Sequence, residues 1–93
     1  MAAVELRELR DEIDAIDRDI VELLAKRLRL VMKVGEYKRA NGLAVYDAER
    51  ERELLARVGD TAPSPLEPAM AQRIFQCVIQ ESRDLEKRHI ERG

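Results

Sequence analysis

Apolar residues recur every three or four places along the first third of the chain: Leu6, Leu9, Ile13, Ile16, Ile20, Leu23, Leu24, Leu30, Val31 and Val34. That period is one stripe of a single α-helix. It predicts a first helix from about Val4 to Ala40, closed by Asn41-Gly42 as a left-handed stop. After a loop at 43–46, Asp47 is a good N-cap, with Glu49 well placed in the first turn. The second helix then carries Leu54, Leu55 and Val58 and is expected to end at Gly59. A turn follows at 60–65, and Ser64-Pro65-Leu66-Glu67 reads as a capping box with proline at the first helical position. The third helix should continue through Met70, Ile74, Phe75, Val78, Ile79 and Leu85 and fray near His89. No segment alternates with period two, so the expected fold is all-α. One domain over 1–93 would hold one very long, one short and one medium helix.

Helix length bears on assembly. About 37 residues of helix span roughly 55 Å at 1.5 Å per residue, whereas a compact chain of this size has a radius of gyration near ~12 Å. The stripe overshoots any monomeric core, which predicts an intertwined helical homodimer. Composition agrees with helix: 39% of residues are charged and 3% aromatic. Seventeen cationic against nineteen acidic side chains leave a net charge of −2, in which nothing suggests a nucleic-acid-binding or anionic-membrane surface. With no charged leader followed by an apolar core, and no apolar run of spanning length, the chain is expected to be soluble and cytoplasmic. Cys77, the only cysteine, is expected as a small buried hydrophobe. His89, without a second His or Cys nearby, is expected to be exposed and unrelated to metal.

Polar residues interrupt the stripes. Arg27 lies four after Leu23 and four before Val31, and Lys38 four after Val34, so the two cations are only ~20° apart around the helix axis. Burying a cation is costly unless an anion meets it. On the second helix Asp47 and Glu51 precede Leu55 by two turns and one, with Arg50 flanking them. On the third, Ser82 follows Val78 by four, and Glu86 follows Ser82 by four and Ile79 by seven. Taken singly, each has an ordinary explanation: an ion pair for Arg27, a cap for Asp47, a small packing residue for Ser82, a solvated carboxylate for Glu86. Their coincidence on three helices predicts instead a pocket lined by Arg27, Lys38, Asp47, Arg50, Glu51, Ser82 and Glu86, suited to a small, oxygen-rich polyanion. On this expectation the cations hold a doubly charged guest and do not pair with the protein's own acids.

The ordered set Leu-Arg-x-x-Ile-x-x-Ile-Asp (Leu9 to Asp17), Leu-Leu-Ala-x-Arg (Leu23 to Arg27), Val-Gly-x-x-Lys (Val34 to Lys38) and Asp-x-x-Arg-Glu-Arg (Asp47 to Arg52) resembles the all-helical chorismate mutase family. Arg73-Ile-Phe-Gln and Glu81-Ser82 extend the resemblance over nearly the whole chain. It implies three helices per chain, an intertwined dimer with two active sites, and the Claisen rearrangement of chorismate to prephenate in aromatic amino-acid biosynthesis, with no metal or cofactor. It implies that Arg27 grips one substrate carboxylate and that Arg10, ~100° away around the helix, reaches the other from the partner subunit. Lys38 would bind a carboxylate and the ether oxygen, Asp47 and Glu51 the ring hydroxyl, and Ser82 a carboxylate. Arg50 would add positive field, and Val34 and Ile79 would pack the ring. Lys38, Glu86 and Arg27 would be catalytic. The resemblance also implies that such a domain can be fused to, or dock on, another shikimate-pathway enzyme.

Glu86 departs from the family, many members of which carry glutamine there and donate an amide N–H to the ether oxygen. A carboxylate only accepts, whereas the protonated acid donates, so the resemblance implies a protonated Glu86 in the working enzyme. Two other functions fit the fold: isochorismate-pyruvate lyase, and a regulatory prephenate-sensing or docking module. The Asp47-to-Glu51 cluster speaks against the first and the intact catalytic positions against the second.

Overall fold

The structure is a computed structural model that describes the backbone of residues 3–92 and side-chain surroundings from Glu5 onward. Among the described residues it is entirely helix and loop: α1 (Ala3–Ala40), α2 (Ala48–Thr61) and α3 (Pro68–Arg92). No helix among them is long and apolar enough to cross a membrane. The chain divides into two compact units, Met1–Leu30 and Val31–Gly93.

In the first unit the apolar stripe of α1 lies open. Leu6, Leu9, Ile13, Ile16, Ile20 and Leu23 are all 42–64% exposed, although each could contribute about 1.5–3 kcal/mol on full burial.

In the second unit α1 ends as its sequence requires. Gly42 takes φ +66°, the Leu43 N–H donates to the Lys38 carbonyl at 2.8 Å, and the Gly42 N–H to the Arg39 carbonyl at 3.4 Å. These are the two bonds of a Schellman motif. A Cβ at Gly42 would meet nothing within 4 Å, so any cost of replacing it lies in the backbone alone. Gly42→Ala is therefore expected to destabilise the protein by about 1–2 kcal/mol, measured by urea unfolding.

α2 packs on α3, but the expected end of α2 at Gly59 is corrected. The helix runs two residues further, and Gly59 is buried inside it. Its missing side chain admits Gln72, whose Nε2 lies 2.6 Å from where a Cβ would stand and donates to the Leu55 carbonyl at 3.1 Å. This glycine is a packing residue, not a stop.

The expected start of α3 at Pro65 is corrected too. Residues before a proline avoid helical angles, so Glu67, preceding Pro68, cannot continue a helix begun at Pro65. The Leu66 N–H closes a turn onto the Pro63 carbonyl at 2.9 Å, and Glu67 O accepts the first helical bond, from Ala71 N, at 2.9 Å. Pro68 is the first helical residue, and α3 persists past His89 to Arg92.

Among the described residues the buried apolar ones are few, Ala71 and Ile79. Cys77, expected inside, is exposed. It stands two residues from Ile79, hence ~200° around the helix and on its opposite side.

Candidate active site

The C-terminal turns of α1 and of α3 approach closely because Gly35 is buried and has no side chain. A Cβ there would lie 2.9 Å from Glu86 Cγ and 3.4 Å from a side-chain carbon of Ile90. One turn along α1, Lys38 therefore faces α3. Its ammonium lies 2.8 Å from Glu86 Oε2, with side chains 16% and 9% exposed. It also donates to the Val45 carbonyl at 2.8 Å, tying down the loop that leads to α2. The cation thus stands between the loop and α3.

This corrects the expectation that Lys38 is kept apart from the protein's own acids. A buried ammonium without a counter-charge would cost several kcal/mol, and Glu86 supplies that charge. The pair is nevertheless incompletely satisfied, because the same Glu86 oxygen is fully buried and makes no hydrogen bond of acceptable geometry. Such a group needs an explanation, and a ligand-binding role is one.

Ser82 and Glu86 are buried on α3 with Ile79, all on one stripe by their spacing. The Ser82 hydroxyl donates to the Val78 carbonyl at 2.6 Å, so it must turn away from its own helix to assist a carboxylate. Asp47 is the N-cap of α2. Its Oδ1 accepts from the Arg50 N–H at 3.1 Å, and its carbonyl accepts from the Glu51 N–H at 3.1 Å. Arg50 is exposed and Glu51 half-buried. Val34, expected to pack a ring, is 48% exposed.

Arg10 and Arg27 belong to the first unit, where Arg10 is exposed and Arg27 half-buried. His89, expected to be exposed, is half-buried, with Nε2 3.3 Å from Glu36 Oε1. Among the described residues no group of three or more His, Cys, Asp or Glu could hold a metal ion.

Sequence reasoning missed Gly35, Val45, Tyr46 and Arg83. Val45 enters through its backbone, which leaves no side-chain signal. Arg83 had a signal, since it lies four after Ile79 and three before Glu86 and so shares their stripe.

The geometry is that of a buried cation and carboxylate with a hydroxyl one turn away. Residues 9–87 match the family model described as chorismate mutase type II. The chain belongs to the chorismate mutase type II family. Among relatives, it is 32% identical over 87 residues to the chorismate mutase of Methanocaldococcus jannaschii, covering 92% of this chain and 88% of that one. It is 42% identical over 79 residues to the T-protein of Enterobacter agglomerans, covering 84% of this chain and 21% of that protein. The chain thus spans only about a fifth of the length of some curated relatives, among them the bifunctional chorismate mutase/prephenate dehydratase of one Buchnera aphidicola strain, of which it covers 20%.

Solved chorismate mutases have the same fold. That of Thermus thermophilus superposes with a TM-score of 0.88 at 36% identity, covering 90% of this chain and 96% of that one. That of Helicobacter pylori, in complex with prephenate, gives 0.86 at 28% identity, covering 95% and 96%.

Proposed function

We propose that residues 1–93 form one chorismate mutase domain that converts chorismate to prephenate in the cytoplasm as an intertwined homodimer. The observation that carries this reading is the buried Lys38–Glu86 pair at 2.8 Å in a chain whose residues 9–87 match the family. Two groups that close can address a single ligand oxygen. The open stripe on α1 supports the dimer, since those side chains would gain burial against the same stripe of a second copy.

A pericyclic rearrangement needs no nucleophile. It needs the enolpyruvyl arm folded over the ring and donors aimed at the ether oxygen as its C–O bond breaks. Arg27 and the partner subunit's Arg10 would hold the two carboxylates. Lys38 would turn from Glu86 to the ether oxygen, and a protonated Glu86 would donate to it as well. Ser82 would assist a carboxylate. Glu51 would accept from the ring hydroxyl and Asp47 would help fix it, partly through its backbone, Arg50 would add positive potential, and Ile79 with Val34 would pack the ring. No cofactor is called for. In longer relatives a dehydratase activity accompanies the mutase, and a fused or docked partner of that class is part of this proposal.

The test follows loss of chorismate by ultraviolet absorbance together with prephenate formation. Salicylate and pyruvate formed from isochorismate, with chorismate untouched, would identify a lyase instead. Prephenate binding without turnover would identify a regulatory module.

The role of Glu86 has its own signature. A carboxylate beside Lys38 accepts and cannot donate, whereas an amide donates, so Glu86→Gln is expected to keep or raise kcat/KM for chorismate while Glu86→Ala lowers it. Equal losses in the two variants would show that position 86 does not act as a donor.

A further inference from the structure

Arg83 lies on the buried stripe of α3, at the spacing i, i+3, i+4, i+7 with Ile79, Ser82 and Glu86. Its guanidinium is held on several sides. The carbon Cζ sits 4.7 Å from the centroid of the Tyr46 ring, a cation–π distance. One terminal nitrogen, Nη2, donates to Gln80 Oε1 at 3.0 Å. The inner nitrogen Nε is fully buried without a hydrogen bond and lies 3.6 Å from Glu51 Oε2 on α2. That distance is an ion pair but too long for a hydrogen bond. These contacts restrain the planar cation, and it forms an ion pair with Glu51.

We propose that Arg83 is a positioning residue of the site. It neutralises and orients Glu51, so that a carboxylate can accept a hydrogen bond from a ligand that itself carries two negative charges. The inference rests on the mutase reading, in which Glu51 receives the ring hydroxyl. Without a cation behind it, Glu51 would repel an approaching dianion, and the repulsion would be felt in a partly buried place where screening is reduced. Arg50 is exposed, so the positive potential it adds is screened by solvent. Lys38 pairs with Glu86 and, in the mutase reading, turns to the ether oxygen, so it is not the counter-charge of Glu51. Arg83 therefore acts on the ligand through Glu51, and its loss should weaken binding of substrate and transition state alike.

A double-substitution cycle tests this. Arg83→Met keeps an unbranched apolar stem and removes the guanidinium and its charge, while Glu51→Gln removes the charge it is argued to neutralise. With chorismate as substrate, Arg83→Met alone is expected to raise KM about tenfold with kcat within about twofold. In the Glu51→Gln background the same change should move KM by less than about twofold. Arg83→Lys, which retains charge but not the planar stack, should stay nearer to wild type than Arg83→Met. Thermal melts monitor folding. Should Arg83→Met not fold, Arg83→Gln against Arg83→Lys in both backgrounds makes the same comparison. An equal KM change in the two backgrounds, or none in either, overturns the role of Arg83 while the mutase reading stands. A wild type with no turnover of chorismate removes both.

Discussion

Lys38→Met is expected to lower kcat/KM for chorismate by roughly 10²–10³-fold, the loss usual when one donor aimed at a developing oxyanion is removed. Three features give Lys38 this weight. It is largely buried, it lies 2.8 Å from the carboxylate of Glu86, and it reaches the Val45 carbonyl. Removing it does two things. It takes a donor from the ether oxygen, and it leaves Glu86 as a buried acid without its counter-charge, which destabilises the fold by about 3–5 kcal/mol.

The two effects separate in the double variant Lys38→Met, Glu86→Gln, where no charge is stranded. Stability measured by urea unfolding should return most of the way to wild type, while activity should stay low. Activity that returned along with stability would mean that Lys38 is a structural counter-ion to Glu86, and the proposed chemistry would fall with it.

The second large effect concerns assembly. Ile16 is 57% exposed in the middle of the α1 stripe. If two chains cover each other's stripes, Ile16→Glu inserts a carboxylate into a dry interface. Two-fold symmetry then inserts it twice. Stranding an uncompensated charge costs about 3–5 kcal/mol, so the dimer should lose roughly 6 kcal/mol or more and dissociate at micromolar concentration. Arg18→Glu, two residues away and ~200° around the helix, also changes charge but lies off the stripe, and should leave the dimer intact. Sedimentation equilibrium distinguishes the variants. A monomeric wild type, or a dimer indifferent to Ile16→Glu, rules out the assembly and with it the role of the partner subunit's Arg10.

The local elements were legible because local physics settles them. The period of the apolar residues sets α1, the left-handed tolerance of Gly42 ends it, and the short acceptor of Asp47 begins α2. Two boundaries were misread for opposite reasons. Gly59 looks like a stop by composition, yet a glycine can also make room for a neighbour, and only the position of Gln72 tells which. Pro68 carried its own local signal, the restriction it places on Glu67, which the capping-box pattern upstream overrode. At the site, spacing sufficed to put Ser82, Glu86 and Ile79 on one face.

What spacing could not tell was which inward charges would meet. The chain by itself determined three helices, their stripes and the polar positions interrupting them, because each depends on residues within a turn or two. The tertiary structure alone decided that Lys38 pairs with Glu86 across the gap left by Gly35, and that Arg83 stands behind Glu51 against Tyr46. Those meetings depend on the approach of segments tens of residues apart, which no local period encodes.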